Sequence, residues 1–221
     1  MPRFPAALGL AIALATGVLL GCWAAISLHQ PATMKSPDTS ASFIPSLDNT
    51  PGFPSIKNGD FRLIDQHGNE RTSASPDGEY QLLFFGYTTC KAICSVALPT
   101  MAEATDLLEA LGHPVTPVLI TVDPERDTIA ALRETVPEMH RKMVGLTGSD
   151  EALSEAYKTF QITKKFVFKH PDEGDVYTHG SNIFLLSPDG KFKTLLPPIT
   201  SPVRIAEIAA GYIREDSGGK T

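Results

Sequence analysis

The chain has 221 residues, of which 42% are hydrophobic and 20% are charged, so it can form one ordinary globular domain together with additional segments. Its net charge is −6 and no basic stripe is evident, which argues against a nucleic-acid partner. Three cysteines are too few to build a disulfide-dense scaffold.

The N-terminal segment contains no charged residue between Phe4 and Leu28. As a helix, this length exceeds the hydrocarbon thickness of a bilayer, which is about 30 Å. We therefore predict a signal anchor or transmembrane helix within residues 1–28. The run Leu19-Leu20-Gly21-Cys22 resembles a lipoprotein processing site, so a lipidated Cys22 is the alternative. The apolar run continues past Cys22, which favours the uncleaved anchor.

The next segment, residues 29–51, is rich in Pro, Ser, Thr and Asp and has only scattered apolar residues. This composition predicts a flexible tether rather than a packed element. The folded domain is expected at residues 52–215, followed by a short tail at residues 216–221.

Within the domain, short apolar runs alternate with amphipathic segments, as in an α/β domain. Strands are predicted at residues 60–65, 70–72, 82–85, 115–122, 166–168, 183–186 and 192–196, and the segment around residue 177 completes a hairpin with residues 166–168. Helices are predicted after the cysteines, at residues 128–136, from residue 149 to 160, and from Pro202 onward. The first of these helices has a predicted buried face made of Leu98, Met101, Ala104, Leu108 and Leu111.

Cys90 and Cys94 lie where an apolar strand ends and this amphipathic helix begins. If the segment is helical, their Cβ atoms are about 5–6 Å apart, so the pair can form a disulfide or bind one metal ion. The helix N-terminus and the positive charge of Lys91 both favour thiolate over thiol. A buried disulfide with a purely structural role is the alternative interpretation.

A polar loop with Asp123 and Asp127 follows the predicted strand at residues 115–122. Ends of strands often carry functional sites in α/β folds. Helix capping by these two carboxylates, together with a salt bridge to Arg126, is slightly favoured over a direct role at a metal.

Four motifs occur in a specific order along the domain. The first is Phe84-Phe85-Gly86-Tyr87-Thr88-x-Cys90-x-x-x-Cys94, and it is followed by Val122-Asp123-Pro124-Glu125-Arg126-Asp127 and Gly145-Leu146-Thr147-Gly148. The fourth is His179, placed ahead of a strand that ends in Ser187-Pro188-Asp189-Gly190. Together they resemble the SCO/SenC family of membrane-tethered, thioredoxin-like copper proteins, and the resemblance covers roughly residues 53–212.

The resemblance implies a thioredoxin-like fold, with a central mixed sheet flanked by helices. It implies a copper site for Cu(I) or Cu(II) at Cys90, Cys94 and His179, and a reversible disulfide between the two cysteines. It also implies delivery of copper to a respiratory cytochrome c oxidase, with an oxidase subunit or another copper chaperone as partner. The location implied is the bacterial inner membrane, with the domain in the periplasm.

The chain departs from the family pattern around these ligands. The family usually has Pro-Asp-x between its cysteines and Pro after the second one, whereas this chain has Lys91-Ala92-Ile93 and Ser95. The family also tends to have Asp before its histidine, where this chain has Thr178. We expect Lys91, Thr178, Asp123 and Asp127 to be the residues that surround and tune the ligands.

A thiol-disulfide oxidoreductase or redox sensor, using the same cysteine pair, is the competing hypothesis. The copper hypothesis requires His179, whereas pure thiol exchange does not. Thioredoxin-like enzymes more typically have two residues between their cysteines, so the spacing here favours copper. Zinc is a weaker candidate, because structural zinc normally takes four protein ligands.

Overall fold

The computed structural model describes residues 56, 58–171 and 174–218. The membrane helix predicted within residues 1–28 and the tether predicted at residues 29–51 lie outside the described residues. In the described part of the chain, none of the helices is long and apolar enough to cross a membrane.

Nine strands and four helices make up the described part of the chain. The strands are β1 Arg62–Asp65, β2 Glu70–Thr72, β3 Tyr80–Gly86, β4 Val115–Thr121, β5 Val144–Thr147, β6 Lys165–His170, β7 Gly174–Thr178, β8 Ile183–Leu186 and β9 Phe192–Leu196. The helices are α1 Cys94–Ala110, α2 Ile129–Met139, α3 Asp150–Thr159 and α4 Pro202–Gly218.

Seven of these strands form one mixed sheet in the order β2-β1-β5-β4-β3-β8-β9. Strands β3, β4 and β5 are parallel to one another, whereas β1, β8 and β9 run antiparallel to their neighbours. The predicted central mixed sheet is therefore confirmed. The remaining strands, β6 and β7, form the predicted hairpin as a separate two-stranded sheet.

The two central strands, β3 and β4, are buried along their whole length. Their continuous apolar character is typical of strands covered on both faces, and each fully buried large side chain contributes about 1.5–3 kcal/mol. Parallel pairing sets Phe84 beside Leu119 and Gly86 beside Thr121. The loops that follow the two strands therefore start from the same edge of the sheet.

The helices pack on this sheet and on each other: α1 on β3, β4 and α4, α2 on β5, and α3 on β1. The predicted buried face of α1 is confirmed at Leu98, Met101, Ala104 and Leu108. It is wrong at Leu111, which is 62% exposed. The helix ends at Ala110, and Gly112 then adopts φ +76°, so the chain turns away before another helical turn is completed.

Two further features differ from the sequence-based expectation. Strand β5 was not predicted, because its four residues include Gly145 and form no long apolar run. Glycine is needed at position 145, because a Cβ on this residue would come within 2.6 Å of Val136 in α2. Helix α4 continues to Gly218, beyond the expected domain end at residue 215. Its last turns are held by Asp216, which accepts hydrogen bonds from the Tyr80 hydroxyl and from Lys193.

Candidate metal centre

The two cysteines follow the central strand β3: Cys90 lies in the loop after the strand, and Cys94 lies immediately after that loop. Cys90 is in the loop, where its N–H donates to the Tyr87 carbonyl at 3.1 Å, and Cys94 is the first residue of α1. Gly86 ends the strand, and a Cβ on it would come within 3.0 Å of the Cys94 sulfur and 2.7 Å of the Phe84 ring. Only glycine therefore allows the loop to pass this close to the thiol.

His179 reaches the cysteines from a distant part of the chain. It follows β7 directly, and its Nε2 lies 3.8 Å from the Cys94 sulfur. Its Nδ1 is 3.1 Å from the Gly180 carbonyl, which can only accept, so Nδ1 carries the proton and Nε2 keeps a lone pair. The two sulfurs and one ring nitrogen lie within 4.8 Å of one another. No other group of three such residues with this geometry occurs among residues 58–171 and 174–218.

Both cysteines are free thiols, and their pKa values are shifted in opposite directions. The hydrogen bond that the Cys94 thiol donates lowers the pKa of Cys90 to about 4 against the opposing effect of burial, and the backbone amides of Cys94 and Ala92 add to the lowering. The hydrogen bond with Cys90 and burial raise the pKa of Cys94. The predicted help from the start of the helix comes from two amides: those of Ala92 and Cys94 contact the Cys90 thiolate, whereas those of Ser95 and Val96 donate to the Ala92 and Ile93 carbonyls.

Tyr87 connects the cysteine loop to β7. Its ring packs edge-on against His179 and Tyr177, with 6.1 Å between centroids in both pairs. Its hydroxyl accepts the Tyr177 N–H and hydrogen-bonds Cys90. Burial, followed by the negative charge of the Cys90 thiolate, raises the pKa of Tyr87 to about 12. The neutral hydroxyl can therefore donate to the thiolate at physiological pH.

The Asp123–Asp127 loop supports the cysteine loop in a way that the capping interpretation did not describe. That interpretation is wrong for both carboxylates, because the N-cap of α2 is Thr128. Asp127 instead accepts from the Thr88 N–H at 3.2 Å and from the hydroxyls of Thr88 and Thr121. It thereby ties the cysteine loop to the end of β4.

Asp123 forms the predicted salt bridge with Arg126. The Arg126 guanidinium also donates to the Asp175 carbonyl in β7 and lies 5.7 Å from the centre of the Tyr87 ring. Arg126 thus joins three segments, namely the cysteine loop, the loop after β4 and the hairpin. Neither Asp123 nor Asp127 belongs to the group of converging ligand atoms.

The other two residues expected around the ligands, Lys91 and Thr178, are exposed. Lys91 lines a hollow of about 220 Å³ between the cysteine loop and the hairpin, together with Tyr87, Phe168 and Asp175.

Sequence reasoning did not single out Tyr87, Thr88 or Arg126 as functional residues. All three lie inside the motifs that carried the family resemblance. Motif membership was therefore the available signal, but the contacts that give each residue its role span different segments of the chain and appear only in the fold.

A thioredoxin-like α/β domain with a Cys-x-x-x-Cys pair and a converging histidine is the class of protein that the fold and the site define. The SCO1/SenC family model matches residues 49–214. The chain belongs to the SCO1/SenC family.

Named relatives support this assignment. The chain is 39% identical to the mitochondrial SCO2 homologue of Bos taurus over 139 residues, which are 62% of this chain and 52% of that protein. It therefore spans about half the length of this relative. Arabidopsis thaliana ScoI with copper bound is similar in structure, with a TM-score of 0.66 and 30% identity over 72% of this chain and 98% of that one. Bradyrhizobium japonicum ScoI with copper bound has a TM-score of 0.61 and 28% identity over 72% and 98%.

Proposed function

We propose that this domain binds one copper ion through Cys90, Cys94 and His179 and delivers it to a respiratory cytochrome c oxidase. The observation that carries the proposal is the convergence of two sulfurs and one imidazole nitrogen within 4.8 Å. Thiolates suit Cu(I), and an added imidazole suits Cu(II), so this donor set fits copper in both states. Three protein ligands are fewer than a structural zinc site normally uses.

The copper-bound structures of related Sco proteins support copper as the cargo. The family resemblance supports the oxidase as recipient and an oxidase subunit or another copper chaperone as partner. The uncharged segment between Phe4 and Leu28 supports anchoring in the bacterial inner membrane, and the family resemblance supports a periplasmic domain.

Transfer requires that ligands of the partner replace those of this chain. Cys90 is 8% exposed and Cys94 only 1% exposed, so we propose that a partner thiolate displaces Cys90 first. The Tyr87 hydroxyl and the amides at the start of α1 stabilise the released Cys90 thiolate. His179 would hold the cupric ion through Nε2, while Nδ1 keeps its proton and donates it in a hydrogen bond to the Gly180 carbonyl.

The deciding experiment is copper titration of the reduced protein beside its His179→Ala variant, with His67→Ala as the control. His67 is an exposed turn histidine far along the chain from the site. We expect one copper ion per chain, loss of the cupric spectrum in His179→Ala, and retention of cuprous binding through the two thiolates. Unchanged cupric spectra in His179→Ala would overturn the proposed ligand set.

A second function, thiol-disulfide exchange, is favoured by one specific observation: two free thiols lie side by side, and the hydrogen bond from Cys94 lowers the pKa of Cys90. The Cys90 thiolate would attack a partner disulfide, forming a mixed disulfide and releasing one partner thiolate. Cys94, giving its proton to the first released partner thiolate, would then attack the Cys90 sulfur and release the second partner thiolate. The partner gains two electrons, and this chain ends with a Cys90–Cys94 disulfide. Exchange that persists in His179→Ala would identify this activity.

A further inference from the structure

Strand β6 is exposed to solvent along almost its whole length. Every residue from Lys165 to Lys169 is exposed. Three consecutive large apolar residues are exposed in this strand: Phe166 by 58%, Val167 by 50% and Phe168 by 50%. Few other large apolar residues are exposed in the described part of the chain. A contiguous exposed apolar patch marks a contact surface, because isolated exposed apolar residues are common but clusters are not.

The same strand is the basic part of an acidic protein. The stretch of residues 161–171 contains Lys164, Lys165 and Lys169 and no aspartate or glutamate, so it carries +3. Removing this +3 from the chain's net charge of −6 leaves −9 for the remainder. The lysines flank the three apolar residues on both sides. The positive charge is confined to β6 and the residues just before it, since the residues that follow β6 include Asp172, Glu173 and Asp175. On β6 itself, apolar side chains are thus combined with lysines.

The geometry of the hairpin holds this strand outward. In the described part of the chain, β6 pairs only with β7, and its register shifts at the bulge between Phe166 and Phe168. The Phe166 ring packs edge-on against Tyr177, with 6.2 Å between centroids, and Lys164 lies 4.3 Å above the same ring. These contacts fix the base of the patch, so its exposed side chains need little further ordering to bind.

We propose that β6 is a membrane-contact strand that docks onto anionic phospholipid headgroups, with Phe166, Val167 and Phe168 entering the interface and the lysines contacting lipid phosphates. An open strand with lysines at both ends matches a flat anionic surface, where aromatic rings and lysine stems are well accommodated. The proposed anchor within residues 1–28 would bring a bilayer close by, since only residues 29–51 separate it from the domain.

Docking of β6 would orient the candidate metal centre. Strand β7 pairs with β6, and it leads directly to His179. The contact would therefore hold the metal centre at a defined height above the bilayer, beside a membrane-embedded recipient. This inference rests on the proposed membrane location but does not require copper binding.

The test uses the full chain in lipid nanodiscs with a single fluorescent reporter. The only tryptophan of the chain is Trp23, so Trp23→Phe combined with Phe166→Trp places one reporter in the strand. The matched control is Trp23→Phe with Leu111→Trp, because Leu111 is 62% exposed at the opposite end of α1. Brominated phosphatidylcholine alone is compared with a mixture of brominated phosphatidylcholine and phosphatidylglycerol.

We expect the reporter at position 166 to be quenched and shifted to the blue in the anionic nanodiscs, and the reporter at position 111 to remain in water. Lys165→Gln and Lys169→Gln should each lower the ratio of docked to undocked protein about fivefold, with thermal unfolding unchanged. Equal quenching in both lipid compositions, equal quenching at position 111, or no quenching at position 166 would overturn the proposal. The last outcome would assign the patch to an acidic protein surface instead.

Discussion

The phenol of Tyr87 packs edge-on against the imidazole of His179, at 6.1 Å between ring centres, although the two residues come from different segments of the chain. Its hydroxyl also contacts the Cys90 thiol and accepts the Tyr177 N–H. One side chain thus touches both the cysteine loop and the strand that carries the histidine. Several consequences for metal binding depend on this bridge.

Replacing Tyr87 with phenylalanine keeps the ring but removes the bridge between Cys90 and the Tyr177 N–H. A hydrogen bond to a charged group contributes about 1.5–3 kcal/mol, and this one stabilises the free Cys90 thiolate, so we expect the pKa of Cys90 to rise by about one to two units and copper to be released more slowly. Hydrogen exchange at the Tyr177 amide should become faster, because the amide loses its acceptor. Tyr212→Phe is the control, because it removes a tyrosine hydroxyl from α4, outside the cysteine loop and the hairpin. An unchanged Tyr177 exchange rate would show that the bridge is absent in solution.

The acidity of Cys90 makes the stability of the reduced protein depend on pH. The folded state lowers the pKa of Cys90 to about 4, whereas an unfolded cysteine titrates near 8.5. Between these values the unfolded chain binds one more proton at this site, so the stabilisation is present above the unfolded pKa and is lost as the pH falls toward 4.

We therefore expect the free energy of unfolding of the reduced protein to rise between pH 5 and pH 8 more steeply than that of Cys90→Ser. Urea denaturation under reducing conditions measures both slopes. Alkylation of Cys90 by iodoacetamide should also stay fast down to about pH 5. Parallel slopes in the two proteins would mean that Cys90 is not a thiolate at neutral pH.

Gly174 and Arg126 offer a test of how the hairpin is held beside the site. Gly174 has φ +76°, and a Cβ there would collide with the Arg126 guanidinium. Gly174→Ala should displace Arg126 from the Asp175 carbonyl, so hydrogen exchange along β7 should accelerate and cupric binding should weaken. Gly78→Ala is the matched control, since Gly78 has φ +68° with nothing within 4 Å of the added Cβ. Equal effects of the two substitutions would assign the loss to backbone strain alone.

Asp127 is expected to stabilise the cysteine loop rather than to bind metal. Asp127→Asn puts an amide N–H₂ where one carboxylate oxygen accepts hydrogen bonds from Thr88 and Thr121. We expect a loss of about 1–3 kcal/mol in the free energy of unfolding, with the copper stoichiometry unchanged. Thermal denaturation and metal analysis measure the two quantities. A change in stoichiometry with stability intact would make Asp127 a ligand.

Local pattern was enough for most of the fold. The apolar runs of β3 and β4, the spacing of Leu98, Met101 and Leu108 on α1, and the hairpin of β6 and β7 follow from short-range periodicity and turn residues. β5 was missed because its strand character comes from pairing with β4 and β1, which no local pattern encodes. The capping role given to Asp127 failed for a related reason, because its partner Thr88 is 39 residues away in the sequence.

The sequence by itself determined the reactive pair: two cysteines four positions apart at the start of an amphipathic helix, with His179 marked by its place among the family motifs. Only the tertiary structure decided that His179, 85 residues from Cys94, comes within 3.8 Å of it, and that Tyr87, Arg126 and Asp127 hold the two segments together. Spacing along a helix fixes which neighbours share a face. The meeting of a loop after β3 with a strand of a separate hairpin depends on how the sheet edge and the hairpin pack, and that is a property of the whole fold.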